Sequence, residues 1–386
     1  MKMDNIHIVI ISVLVTSLGL GGLTYFSRDN TKTIKTNQCP CSEARFCERI
    51  KDTSRKEIFV FSLNAKQDEW KFYDWEKVTT VVMVGYFDIQ LVCWAHKYGA
   101  RAITIGGVST SVLPNKTARS QWIQKQLDFV DKNYLDGINF DYENAILADQ
   151  FDLRNGYTAI VQETKQAFKE KFPYSMVSVD VAWSPACIDS RCYDYGGLSE
   201  ASDFLFVMAY DEQSQIPGEC IAGANSGLSR TMSGVQNYLD MGISSDKLVL
   251  GLPWYGYYYP CLSLTQDNKC YLKKVPFRGV NCSDSAGREI NYSYIIQLLK
   301  KSTSGRIFDK STMTPYFNYL NTSSGVMHQI RYDDPQSLTF KYNFAVDKNL
   351  RGAGMWNSEC VNYTSPLKDD ILAVKQMWDA LPDYNN

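Results

Sequence analysis

The chain has 386 residues, a formal net charge of −2 at pH 7 and 45 % hydrophobic residues. Near-neutral charge argues against a nucleic-acid binder, which carries a basic stripe, and three histidines are too few for most histidine-based metal hydrolases. The length allows two domains, but α/β barrels of this size also occur as one.

From the N-terminus, Lys2 precedes an apolar run from Ile6 to Phe26. The run fits either a cleaved signal peptide or an uncleaved signal anchor. Residues 27–38 are polar and read as a linker. Both alternatives send the rest of the chain into the secretory pathway. Eleven cysteines agree with an oxidising compartment. Cys39-Pro-Cys41 lacks the spacing of a zinc site, so disulfides are expected, and the odd count leaves at least one thiol free or paired between chains. Asn115, Asn281, Asn291, Asn321 and Asn362 each open an Asn-x-Ser/Thr sequon.

After Cys39, short apolar runs alternate with amphipathic stretches. Strands are expected at Glu57–Leu63, Thr79–Gly85, Ala100–Gly106, Gly137–Glu143, Met176–Trp183, Phe204–Tyr210, Leu248–Pro253 and Gly352–Trp356. Ser120–Asn133 carries Ile123, Leu127 and Val130 at helical spacing. Gly99 reads as a helix stop. Eight strands alternating with helices predict a (β/α)8 TIM barrel of the α/β class, with its chemistry at the C-terminal ends of the strands. The long interval before the last strand holds three cysteines and predicts a small α+β insertion at about 258–345.

The informative strand is Asp136-Gly-Ile-Asn-Phe-Asp-Tyr-Glu143. Alternate side chains point to opposite faces. Ile138, Phe140 and Tyr142 face the helices, so Asn139, Asp141 and Glu143 face the barrel axis. A packed barrel favours branched apolar residues there, and burying charge without a partner is costly. No lysine or arginine is near in sequence. Two carboxyls two residues apart lie ~6–7 Å apart at the backbone. At that separation one pKa rises, which gives a general acid its proton at mild pH.

Asp136-Gly-x-Asn-x-Asp141-x-Glu143 resembles the Asp-Gly-x-Asp-x-Asp-x-Glu signature of family 18 glycoside hydrolases, with Asn139 in place of one acid. Further segments are similar to the di-N-acetylchitobiase branch of that family: Met208-Ala-Tyr-Asp-Glu-Gln-Ser-Gln215, Gly251-Leu-Pro-Trp-Tyr-Gly-Tyr257, Val275-Pro-Phe-Arg-Gly279, Asp334-Pro-Gln-Ser337 and Arg351-Gly-Ala-Gly-Met-Trp-Asn357. The likeness covers nearly everything after Cys39. It implies a retaining reaction in which the substrate's own N-acetyl oxygen is the nucleophile. Glu143 is then the general acid and base. Asp141 holds the acetamido N–H, and Asn139 supports Asp141. Tyr210 donates to the acetamido oxygen. Met208 and Asp211 match the family's Met-x-Tyr-Asp pattern, and Asp211 binds the sugar. Trp356 forms the floor under the ring. Trp183 and Trp254 either stack on sugar or line the barrel.

The implied substrate is an oligosaccharide containing GlcNAc-β-1,4-GlcNAc, cut to release the reducing-end sugar during glycoprotein breakdown in the lysosome. Secretion and membrane anchoring through residues 6–26 are the alternative destinations. No cofactor, metal or nucleic acid is expected, and the chain is expected to act as a monomer. An endo-acting chitinase and a non-hydrolysing lectin are the competing readings. Such lectins lose the terminal glutamate, whereas Glu143 is present.

Overall fold

The structure is a computed structural model that describes residues 39–52, 54–63 and 68–384. The apolar run 6–26 and the linker 27–38 lie outside the described residues. Among those described, no helix is long and apolar enough to cross a membrane.

Seven barrel strands come first: β1 (Glu57–Ser62), β2 (Thr80–Met83), β3 (Arg101–Ile105), β4 (Gly137–Phe140), β5 (Met176–Ala182), β6 (Phe204–Met208) and β7 (Leu248–Pro253). An inserted segment follows with β8 (Tyr255–Pro260), the short pair β9 (Ser263–Leu264) and β10 (Cys270–Tyr271), then β11 (Arg288–Asn291), β12 (Ile307–Asp309), β13 (Thr314–Asn321) and β14 (Val326–Arg331). β15 (Gly352–Trp356) completes a closed parallel barrel of order β1-β15-β7-β6-β5-β4-β3-β2. The eight barrel strands fall where the apolar runs place them, because only one period of hydrophobicity fits each run.

Helices α1 (Ile89–Lys97), α2 (Lys116–Lys132), α3 (Phe151–Lys171), α4 (Tyr195–Ala201) and α5 (Leu228–Asp240) follow β2 to β6 in turn. Asn115 caps α2 by accepting from the Ala118 N–H at 3.0 Å, so α2 begins four residues before its apolar periodicity does. Gly99, at φ +70°, ends the turn after α1. α6 (Tyr292–Leu299) lies in the insertion, α7 (Pro335–Asp347) precedes β15, and α8 (Lys368–Asp379) follows it. β1 is followed only by a 3-10 turn at Glu69–Phe72 among the described residues.

The insertion forms an antiparallel sheet of order β11-β8-β14-β13-β12. It starts at Tyr255, three residues earlier than its composition indicates. It ends before Pro335, since α7 belongs to the barrel: Tyr342 of α7 donates to the Gly354 carbonyl of β15. Cys220–Cys282 and Cys261–Cys270 disulfides hold the segment, and Cys41–Cys93 and Cys187–Cys192 close two others. Cys39 and Cys47 are disulfide-bonded too, and Cys360 is a buried free thiol.

The barrel interior below the site is aromatic rather than aliphatic. Phe59, Phe61, Phe204 and Phe206 meet with centroids 5.0–5.4 Å apart, in edge-on or tilted pairs. Such bulk needs relief on neighbouring strands. A Cβ on Gly251 would lie 2.2 Å from Cζ of Phe206, whereas one on Gly354 would first meet the Phe59 carbonyl oxygen at 2.2 Å and then Cε2 of Phe206 at 2.9 Å.

Candidate active site

The acidic strand is pinned at its foot. The Asp136 carboxylate accepts from the Ala102 N–H at 2.7 Å and the Ile50 N–H at 2.8 Å, and pairs with His96 at 2.8 Å. Asp136 is therefore an anchor that joins β3 to β4. Its neighbour Gly137 has no room for a side chain, because a Cβ would sit 2.0 Å from the Met176 carbonyl of β5.

Ladder pairing stops at Phe140, so Asp141 and Glu143 project just past the strand end. The alternation nevertheless continues. Phe140 packs on Trp122 of α2 with centroids 5.4 Å apart, and Tyr142 on Tyr157 of α3 at 4.8 Å. The intervening residues turn inward. Asn139 is fully buried and Asp141 half-buried, whereas the Glu143 side chain is 53 % exposed.

Asn139 does not support Asp141 by its amide nitrogen. That group donates instead to Asp180 at 2.8 Å and to the Ser178 hydroxyl at 3.0 Å, both on β5. Asp180 is a member of the acid row that the motif alone does not reveal. Its signal lies in the next strand, where Ser178, Asp180 and Ala182 alternate with Val177, Val179 and Val181. One oxygen of Asp141 is buried without a protein hydrogen-bond partner.

Burial, reinforced by the nearby Glu143 and opposed by Arg191, pushes the Asp141 carboxyl up to about 7. Burial and the Asp141 charge push Asp180 up as well, against the Asn139 hydrogen bond. The buried Tyr210 hydroxyl is raised by burial and by the charges of Asp180, Asp141 and Glu143. These four groups therefore share one electrostatic environment. Glu143 is not unpaired, as its sequence surroundings imply. Arg191, from the loop after β5, donates to it at 2.8 Å. The two residues are 48 apart in sequence, so no local spacing announces the contact.

Asp211 has φ +52° and turns into the mouth, where its Oδ1 accepts from the hydroxyls of Tyr255 at 2.5 Å and Tyr257 at 2.9 Å. Both tyrosines lie on β8, so the insertion supplies part of the site. A cavity of about 330 Å³ opens here, walled by Glu143, Asp211, Asp284 and Glu289 with Arg191, Tyr257, Phe277 and Arg278. It sits at the small end of ligand-sized clefts. Burial, then Asp211, raises Asp284 to about 7, and burial with Asp211 and Glu143 raises Glu289 to about 7.

Met208 is buried at the end of β6. Trp356 is half-buried and rests on Phe61 with centroids 5.3 Å apart, on top of the aromatic filler. Trp254 is fully buried and meets Trp378 of α8 edge-on at 5.3 Å, so it offers no face to a ligand. The step from β7 into β8 turns it outward under α8. Trp183 is half-buried against α5, its carbonyl placed where a Cβ on Gly234 would be and Arg230 lying 6.0 Å over its ring. It is not part of the cavity wall.

The chain matches the glycosyl hydrolases family 18 over residues 23–359. The chain belongs to that family. Within family 18 it is similar to the di-N-acetylchitobiase of Mus musculus, 44 % identical over 90 % of this chain and 94 % of the relative. The probable di-N-acetylchitobiase 2 of Dictyostelium discoideum is 41 % identical over 90 % of each. The fold is shared with a group IV chitinase of Ostrinia furnacalis, crystallised with allosamidin, at a TM-score of 0.66 and 17 % identity over 84 % of this chain and 97 % of that one. This chain is a glycoside hydrolase.

The raised carboxyls bear on stability. Asp141, Asp284 and Glu289 stay protonated up to about 7 and the buried Glu212 up to about 8, whereas unfolded carboxyls lose their protons near pH 4. Their contribution is full below pH 4 and is lost as pH rises through 7 to 8. His96 works in the same direction, held up by Asp136 against burial, and His328 in the opposite one, lowered by burial. Scanning calorimetry should give a Tm at pH 5 above that at pH 7.5 by about 5 °C. An equal or lower Tm at pH 5 would contradict these assignments.

Proposed function

We propose that this chain hydrolyses the GlcNAc-β-1,4-GlcNAc bond of chitobiose cores and chitooligosaccharides, with retention, and releases the reducing-end GlcNAc. The observation that carries this reading is the pair Asp141 and Glu143 just past the end of β4, with Glu143 and Asp211 on the cavity wall and Tyr210 close enough to feel both carboxyls. The similarity to di-N-acetylchitobiases supports the substrate.

In this reading the carboxyl pair Asp141 and Glu143 holds one proton at rest, on Asp141. When substrate arrives the proton passes to Glu143, leaving Asp141 as a carboxylate that accepts the acetamido N–H. The acetamido oxygen attacks C1. The C1–O bond breaks, and its electron pair stays on the leaving oxygen, which takes the proton from Glu143. Asp141 stabilises the oxazolinium cation, and the Tyr210 hydroxyl donates to the acetamido oxygen. Water then adds to C1 and gives a proton to Glu143, while the bond from C1 to the acetamido oxygen breaks and its electron pair returns to the acetamido group. The second attack restores the original anomeric configuration. Asp211 binds the sugar, and Trp356 lies beneath it.

Exo-action is supported by the small cavity and by Phe277 and Arg278 of the insertion on its wall. The disulfides and sequons support a route through the secretory pathway, and the acid-favoured carboxyls support a lysosomal destination. Chitotetraose labelled at its reducing end tests the reading. Release of labelled single GlcNAc is expected. Internal cuts would mean an endo-acting chitinase, and absence of turnover a lectin.

A further inference from the structure

We propose that Arg191 is a positioning residue for Glu143, held in place by the Cys187–Cys192 loop and tied to the inserted sheet through Arg278. This rests on the reading of Glu143 as the acid. The loop lies between β5 and α4 and is closed by its own disulfide. Cys187, Asp189 and Ser190 have φ of 54°, 54° and 59°, a left-handed conformation that non-glycine residues seldom adopt. Three such residues in four positions hold the loop in a shape its sequence does not favour. Strain of this kind persists where surrounding contacts over-determine it, and it concentrates at working sites.

Those contacts form a continuous chain. Arg278 of the insertion donates to the Asp189 carbonyl. The Asp189 carboxylate accepts from Ser214 at 2.8 Å and from Arg191 Nη2 at 2.9 Å. The other nitrogen of the guanidinium, Nη1, reaches Glu143 Oε2 at 2.8 Å. The loop is also laced to the segment after the acid strand, through Ile146 N–H to the Ser190 carbonyl at 3.0 Å and Cys192 N–H to the Ile146 carbonyl at 2.9 Å.

Arg191 is 9 % exposed, and Asp189 alone would neutralise it. The second arm of the fork is therefore available to orient the acid, and the planar guanidinium fixes direction as well as charge. Around Glu143 stand Asp141 on its own segment, Asp180 and Tyr193 from β5 and its loop, Tyr210 and Asp211 after β6, and Glu289 from the insertion. The Arg191 guanidinium is paired with Glu143 and its charge also acts on Asp141.

A merely structural arginine would change the yield of folded enzyme and nothing else. A positioning one changes rate and pH profile. Arg191→Ala should lower kcat by about 10²-fold, the scale of an ångström of misplacement, with KM little changed. Its basic limb should move to higher pH, since the positive charge that pulls Asp141 down is gone. Arg191→Lys should restore the limb but not the rate, because ammonium keeps the charge and loses the fork. The double change Cys187→Ser with Cys192→Ser keeps Arg191, frees the loop, and should also lower kcat. Wild-type kcat and limb in Arg191→Ala would overturn the proposal. If that variant does not fold, wild-type kcat in Arg191→Lys together with the double serine variant would do the same. A wild-type enzyme inactive on chitooligosaccharides would instead bring down the functional reading beneath it.

Discussion

Glu143→Gln should yield a folded protein that hydrolyses chitooligosaccharides about 10³-fold more slowly than the wild type. Glutamine keeps the size and one acceptor oxygen but has no proton to give to a leaving group. The fold should tolerate the change, because the side chain is 53 % exposed and Arg191 keeps Asp189 as its partner. Removing the charge has a second effect. Glu143 is one cause of the raised Asp141 carboxyl, so that group should titrate lower in the variant. Product formation by mass spectrometry, beside a circular dichroism spectrum, is the measurement. Turnover near the wild-type rate in a protein of unchanged spectrum would remove Glu143 from the chemistry.

Asp141→Asn should cost about 10²-fold in kcat/KM, the lower part of the range for a lost acid–base or charge-stabilising partner. Asparagine can still accept the acetamido N–H. It cannot offer the negative charge that the oxazolinium ion needs, and it cannot hold the resting proton. The pH profile carries the sharper signature. In the wild type kcat/KM should fall as pH rises through about 7, where Asp141 loses that proton. The variant should lack this limb. Persistence of a limb at the same pH would assign it to another group, with Asp284 and Glu289 the nearest candidates by titration.

The strands were legible because each is a short apolar run whose flanks break it. The acid row was legible because alternation continues for three residues beyond the ladder, so reading Asp136 to Glu143 as one strand misplaced its end without misplacing its faces. What depends on contact between distant segments was not legible. Arg191 reaches Glu143 from another loop, and Asp180 takes the Asn139 amide from another strand. Tyr255 and Tyr257 hold Asp211 from the start of the insertion, whose boundary composition could not locate. Trp254, left open between stacking on sugar and lining the barrel, shows a different difficulty. An aromatic at a strand end fits either role, and here the chain turns and α8 covers the ring. The proximity of an aromatic to a barrel mouth in sequence says little about which way its ring faces.

The filling of the barrel under the site has a consequence for how this chain can vary. Phe206 occupies volume that strand β7 vacates at Gly251, where a Cβ would lie 2.2 Å from its ring. Gly354 answers to a different neighbour, since a Cβ there would lie 2.2 Å from the Phe59 carbonyl oxygen, a backbone atom that no side-chain exchange removes. A methyl gained at 251 therefore demands a smaller ring at 206, and descendants of this sequence should change those two positions as a pair. Position 354 should stay glycine whatever fills 206, and the paired exchange could leave the catalytic mouth above untouched.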